Sequence, residues 1–278
     1  MRKMLVGFLI VGIAVSAFAG GAKESTAAAT AAVDLDAREA PELAARVAAG
    51  ELPPLAERLP ENPLVVEPLE ETGTYGGVWR NVLVGGTLTH VTRYQGNERL
   101  LRWTPEWDGI IPNIAESYDV SPDSRVFTFN LRKGMRWSDG AYLTADDFQF
   151  FYEDVISNST LSPTFPSGFA SRGEPAVFTK INDYAFRYTF KEPNGTFILG
   201  NPTPGYWYLP KHYLKEFHAD YNPNADAEAK AAGFADWAER FLALGGSRAN
   251  DDVYTNKDLP TLEPWVFTVV PDGTVTRA

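Results

Sequence analysis

A chain of 278 residues, 44% hydrophobic and 22% charged, can bury one large core or two smaller ones and has the balance of an ordinary globular protein. Its formal charge of −11 argues against a nucleic-acid partner, because phosphate binding needs concentrated Lys and Arg. With no Cys in the sequence there is no disulfide, no thiol nucleophile and no thiolate metal ligand.

Residues 1–19 read as a secretory signal. Arg2 and Lys3 form a basic start, Leu5 to Val15 an apolar run, and Ala17-Phe18-Ala19 a cleavage pattern of small residues around a large one. The run is shorter than the ~20 residues an ordinary membrane-spanning helix needs. Cleavage after Ala19 would remove two positive charges and no acid, taking the net charge from −11 to −13. The Ala-, Gly- and Thr-rich stretch that follows, to about Val33, reads as a flexible spacer, and residues 20–74 together as spacer plus a short helical prelude. In that prelude Leu43 and Val47, then Leu52, Leu55 and Leu59, give narrow apolar stripes broken at Gly50 and at Pro53-Pro54.

From Tyr75 a Gly-Gly bend leads into strand-like Val78, Trp79 and Arg80, closed by Gly85-Gly86. No G-x-G-x-x-G opens a helix here, so these glycines are not a dinucleotide fingerprint. Trp103 and Trp107 straddle a Thr-Pro turn, where they can stack on a ligand or cap the core beneath. The stretch from Pro112 to Val155 carries the densest pattern. Ser121-Pro122-Asp123-Ser124 has turn chemistry, and Phe127, Phe129 and Leu131 alternate with Thr128, Asn130 and Arg132 as a strand with one buried face. Thr144 can cap a helix with Asp147 as the capping-box acid, and Phe148, Phe151, Tyr152 and Val155 mark its apolar face.

Beyond a loop over Ser157 to Glu174, Val177 to Ile181 and Tyr184 to Phe190 form a hairpin turned at Asn182-Asp183. Tyr184, Phe186, Tyr188 and Phe190 share its core face. Pro202, Pro204 and Gly205 then place Tyr206, Trp207 and Tyr208 on an exposed-looking turn, where Tyr206 and Trp207 are candidates for stacking on a ligand. Phe234, Trp237, Phe241 and Leu242 predict one helix over Ala225 to Leu244, ended by Gly245-Gly246, and Pro260 to Arg277 reads as a strand ending in a hairpin.

His212 and His218 are six apart, which does not put them on one helix face for a metal. Asp146-Asp147 and Glu153-Asp154 read as helix-start and surface charges rather than an acid/base pair. There is no G-x-S-x-G, H-E-x-x-H, Walker A or EF-hand loop, so the reading is of a non-enzyme with no catalytic residue, cofactor or metal.

The order of an AES segment, the SPD turn, the FTFNLRKG strand, the WSDG turn and the LTADDF helix start closely resembles solute-binding protein family 5, the extracytoplasmic binding proteins of oligopeptide- and dipeptide-type ABC importers. The Pro-Pro-Leu and Glu-Arg-Leu-Pro prelude is similar to a long-chain branch of that family. The resemblance implies an α/β fold, the class C periplasmic-binding-protein, type II-like architecture. Residues 75–102 and 196–278 would belong to the large lobe and 103–195 to the accessory domain, with the second lobe missing and the chain truncated at its C-terminus. It implies that the loop after the first strand runs near the ligand cleft, which makes Arg93, Tyr94 and Asn97 ligand-binding candidates; the alternative is a polar surface loop. Gly20, not Cys, follows the signal, so the expected location is periplasmic or secreted, without a Cys-linked lipid anchor. The expected role is capture of oligopeptides, as a monomer, for delivery to membrane permease subunits. The alternatives are the same role with an oligosaccharide, and a non-transport surface or sensor protein.

Overall fold

Alternating apolar residues on two hairpins build the sheet on which the described part of the chain is assembled. The structure, a computed structural model, describes residues 39–78, 98–201, 207–246 and 256–266. All of them belong to one unit, Glu39–Ala278. Two short helices, α1 (Pro41–Ala48) and α2 (Leu55–Arg58), come first and bury no residue completely. A small hairpin of β1 (Leu101–Trp103) and β2 (Ile110–Pro112) follows. Strands β3 (Ala115–Val120) and β4 (Val126–Leu131) form half of a four-stranded antiparallel sheet. Two-residue strands β5 (Ala170–Ser171) and β6 (Glu174–Pro175) precede β7 (Val177–Asn182) and β8 (Ala185–Thr189), which complete it in the order β3-β4-β8-β7.

Register puts the apolar residues of neighbouring strands opposite one another: Phe129 faces Phe186 on one side and Tyr118 on the other, and Phe127 faces Tyr188. Thr128 and Arg187, one residue out of phase, fall on the polar face. The Ser121–Ser124 turn closes the first hairpin as its residues predict: Ser121 Oγ accepts from Val126 N at 2.9 Å and Ser124 takes a φ of 53°. Arg132 departs from the expected alternation. It is buried, with Nε donating to Asn113 O at 2.9 Å and a terminal nitrogen donating to Asn62 O at 2.7 Å. The prelude lies over this end of the sheet, where Glu61 N donates to Lys133 O at 2.9 Å. Gly134, at φ 86°, lets Pro60 approach, because a Cβ there would stand 3.4 Å from the Pro60 Cα.

Helix α3 (Ala145–Gln149) begins at the predicted cap: Thr144 Oγ1 accepts from Asp146 N, and Asp147 returns the bond by accepting from Thr144 N at 2.9 Å. Phe148, Phe151, Tyr152 and Val155 are buried as expected, Phe148 against Phe186 and Tyr152 against Tyr188 of the sheet. Two features were not legible in that stripe. Phe150–Ile156 winds as a π-helix. Phe150 is also fully buried on the far side, against His218 and Phe241 at ring distances of 6.1 and 6.2 Å.

The expected single helix over Ala225 to Leu244 is two. After α4 (Phe197–Gly200) and α5 (Lys211–Leu214), α6 (Ala225–Ala231) stops at Gly233, whose φ of 92° suits the left-handed cap that Phe234 N closes onto Ala229 O. Helix α7 (Trp237–Phe241) restarts at Asp236, which accepts from Glu239 N at 2.8 Å. The Gly and Asp of GFADW are thus stop and start signals that override the apolar spacing. Pro260 to Val266 is not a strand, and the rest of that expected hairpin, like the expected strand at Trp79 and Arg80, lies outside the described residues. No described helix is long and apolar enough to cross a membrane.

Two buried groups carry measurable consequences. Tyr188 is fully buried in the aromatic core, its pKa raised by burial, and its hydroxyl has no hydrogen-bond partner among the described residues. Removing an unsatisfied buried hydroxyl while keeping the ring relieves a desolvation cost, so Tyr188→Phe should raise unfolding stability in urea by about 1–2 kcal/mol. Asp147 is 4% exposed, and burial pushes its carboxyl from 3.8 up to about 6, opposed by the backbone N–H groups of Thr144 and Lys211, the Trp137 indole and His212. The folded carboxyl therefore holds its proton more tightly than the unfolded one. Its contribution to stability is complete below pH 3.8 and is lost as pH rises through about 6. Asp147→Asn cannot ionise, so urea titrations at pH 4 and pH 7 should show the variant gaining roughly 2 kcal/mol relative to the parent between them.

Candidate functional site

Of the five sequence-predicted ligand residues, Arg93, Tyr94, Asn97 and Tyr206 lie outside the described residues, and Trp207 lies within them. Trp207 is half-buried. Its ring stacks on Phe197 at 4.7 Å, meets Phe169 at 4.8 Å, and stands at the edge of the aromatic core. Tyr208, expected beside Trp207 on an exposed turn, is instead 3% exposed, with its ring between Trp137 and Phe148.

The described residues that flank these segments converge. Leu101 N donates to the Asn201 side-chain oxygen at 2.5 Å, and Tyr208 OH donates to Glu98 O at 2.8 Å. Glu98 N donates to Glu263 at 3.2 Å, and Arg99 pairs with Glu263 at 3.4 Å with both side chains buried. Asn113 adds two bonds, to the Glu98 carboxylate at 2.8 Å and to Arg99 O at 2.9 Å. Asn113 O in turn accepts from Arg132, whose pKa is lowered by burial and supported by Glu116. Distant points of the chain, at residues 98–101, 113, 201, 208 and 263, are thereby tied in one largely buried polar knot. Side chains that are buried and already hydrogen-bonded are positioned to hold backbone rather than to donate to a ligand or move a proton. Sequence reasoning singled out Tyr208, as an exposed aromatic, and missed the other members of the knot, since Asn, Glu and Arg beside loops read as surface groups.

Of the Trp103–Trp107 pair, Trp103 is half-buried and Trp107 stands in solvent. The rings stack at 6.0 Å and 15°, and Trp107 is 74% exposed, so it does not cap the core. The histidines separate. His212 pairs with Asp139 at 2.7 Å, while His218 is buried, its Nδ1 accepting from Asp220 N at 3.2 Å and its Nε2 facing Asp154 O at 3.1 Å. Among the described residues no cluster of three His, Asp or Glu could hold a metal ion. Asp146 forms an ion pair with Lys180 at 2.8 Å, and Tyr221 donates to Asp154 at 2.7 Å. The helix-end carboxylates therefore brace the fold.

Comparison with known proteins places this architecture. The family described as bacterial extracellular solute-binding proteins, family 5 Middle, matches residues 109–278. The periplasmic alpha-galactoside-binding protein of Rhizobium meliloti (strain 1021) is 36% identical over 200 residues, which is 63% of this chain and 28% of that protein. A solved structure of an oligopeptide-binding protein OppA aligns with a TM-score of 0.74 and 35% identity, covering 84% of this chain and 36% of its own. The periplasmic binding protein MelB from Agrobacterium fabrum C58, in complex with stachyose, aligns with a TM-score of 0.57 and 25% identity over the same shares. The chain spans about a third or less of the length of these relatives, which are solute-binding proteins rather than enzymes. With the type II periplasmic-binding-protein fold shared and more than half of the sequence matched, the chain belongs to the bacterial extracellular solute-binding proteins, family 5.

Proposed function

We propose that this protein captures a small solute outside the cytoplasmic membrane, as a monomer, and delivers it to the permease of an ABC importer. The observation that carries the reading is the family match over residues 109–278 on a fold that aligns with a solved OppA. The periplasmic relative and the secretory pattern of residues 1–19 support an extracytoplasmic site of action. In this reading 75–102 and 196–278 belong to a large lobe and 103–195 to an accessory domain, and Arg93, Tyr94, Asn97, Tyr206 and Trp207 contact the cargo. The knot supports that division of labour, since it ties the flanks of both ligand-bearing segments, at Glu98 and Tyr208, to one another.

The cargo we assign first is an oligopeptide, on the likeness to OppA. A second reading, an oligosaccharide, is favoured by the α-galactoside-binding relative and by the stachyose complex. A thermal-shift screen separates them. Ligand bound only to the folded state at about 100 times its dissociation constant adds about 2.7 kcal/mol of stability, which is readable as a rise in melting temperature. Short peptides should raise it more than saccharides do at matched concentration; stabilisation by saccharides alone replaces the first cargo with the second.

A further inference from the structure

The turn from Thr104 to Gly109 holds an indole in water at a conformational cost. Trp107 has a φ of 60°, the left-handed region that Gly or Asn takes readily and a bulky residue avoids. Nothing in the turn leaves that geometry to chance. Thr104 Oγ1 accepts from Asp108 N and Gly109 N at 3.1 Å each and donates to Asp108 Oδ1 at 2.7 Å. Trp107 N donates to Thr104 O at 3.0 Å, and Thr104 N to Gly109 O at 2.9 Å. Burial does not account for the choice of residue, because three-quarters of Trp107 is exposed. What the strained backbone achieves is display: Trp103 stacks behind one side of the ring, and the residues on either side of it in the chain, Glu106 and Asp108, are exposed carboxylates, with Asp108 Oδ1 accepting from Thr104 at 2.7 Å.

A rigid, exposed indole with a carboxylate residue before and after it in the chain matches a ring that has a flat face of C–H groups and an edge of hydroxyls. We propose that this turn is a pyranose contact, in which Trp107, backed by Trp103, stacks on the apolar face of a neutral sugar and Glu106 and Asp108 accept its hydroxyl protons. The inference rests on the saccharide reading of the cargo and gives that reading a residue-level site.

The test follows the indole N–H resonances of the full chain by NMR during titration with methyl α-galactoside and with stachyose. The Trp107 signal is identified by its loss in Trp107→Phe. It should shift saturably with sugar. Trp107→Gly, whose backbone takes the positive φ without strain, should melt close to the parent and bind the sugar at least about tenfold more weakly. Three results overturn the site: a Trp107 signal that no saccharide moves, a Trp107→Gly chain that binds sugar unchanged, or one that melts far below the parent because the indole holds the turn together. A shift with Lys- or Arg-containing peptides and none with sugars also overturns it, in favour of a cation over the ring. A saccharide that stabilises the chain without moving Trp107 removes this site and leaves the saccharide cargo standing, whereas no saccharide effect of any kind removes both.

Discussion

The helix that starts at Thr144 has almost no solvent face, and the rest of the described structure is arranged to provide its two covers. From Ala145 to Ile156 only Glu153 is exposed. The sheet covers one side, where Phe148 stacks on Phe186 at 4.5 Å and Tyr152 packs edge-on to Tyr188 at 5.4 Å. The C-terminal segment covers the other, with His218, Tyr221 and Phe241 around Phe150 and Trp237 packed behind His218 and Phe241. Large rings buried in contact remove much apolar area from water per residue, which is the main stabilising term available to a chain without disulfides. The same crowding leaves Tyr188 with a buried hydroxyl that has no partner among the described residues.

Apolar packing is not directional, so it cannot by itself fix where loops enter and leave. Buried polar groups supply that direction, because each must find its own partner or bear the cost of desolvation. Asn201 and Glu263 hold the strand that opens at Leu101, while the Asp147 carboxylate reaches from the helix N-terminus to Lys211 N at 3.1 Å and holds the start of α5. Ser138 and Thr261 exchange two further bonds, at 2.9 and 3.1 Å, across 123 positions of sequence. A solute-binding protein needs cargo-contacting loops set on a firm base, and these polar ties provide one at the roots of both candidate segments. Trp107 represents the opposite choice, with backbone strain accepted so that an apolar surface stays in water.

The elements that depend on near neighbours were legible from the sequence. The Ser121 turn, the alternation of β4 and the Thr144 cap each draw their conformation from residues within a few positions, so the pattern contained the outcome; the β7-β8 hairpin was legible too, although it turns at Asp183-Tyr184, one residue past the expected Asn182-Asp183. Where two local signals competed, reading one alone failed: between Ala225 and Leu244 the apolar spacing suggested one helix, and Gly233 with Asp236 made two.

The candidate site was far less legible, for a physical reason. Burial of Arg99, Arg132, Asp147 and Asn201 depends on partners more than 12 positions away, and a polar side chain carries no mark of whether its partner will be water or a distant backbone group. Trp103 and Trp107 were visible as a pair, but whether they faced the core or the solvent was decided by the left-handed turn between them. The sequence by itself therefore determined the family and the local elements, because those reside in short-range chemistry. Tertiary structure decided which polar groups would be buried, which loops they would anchor and which Trp would be displayed, because those depend on what the folded chain brings alongside.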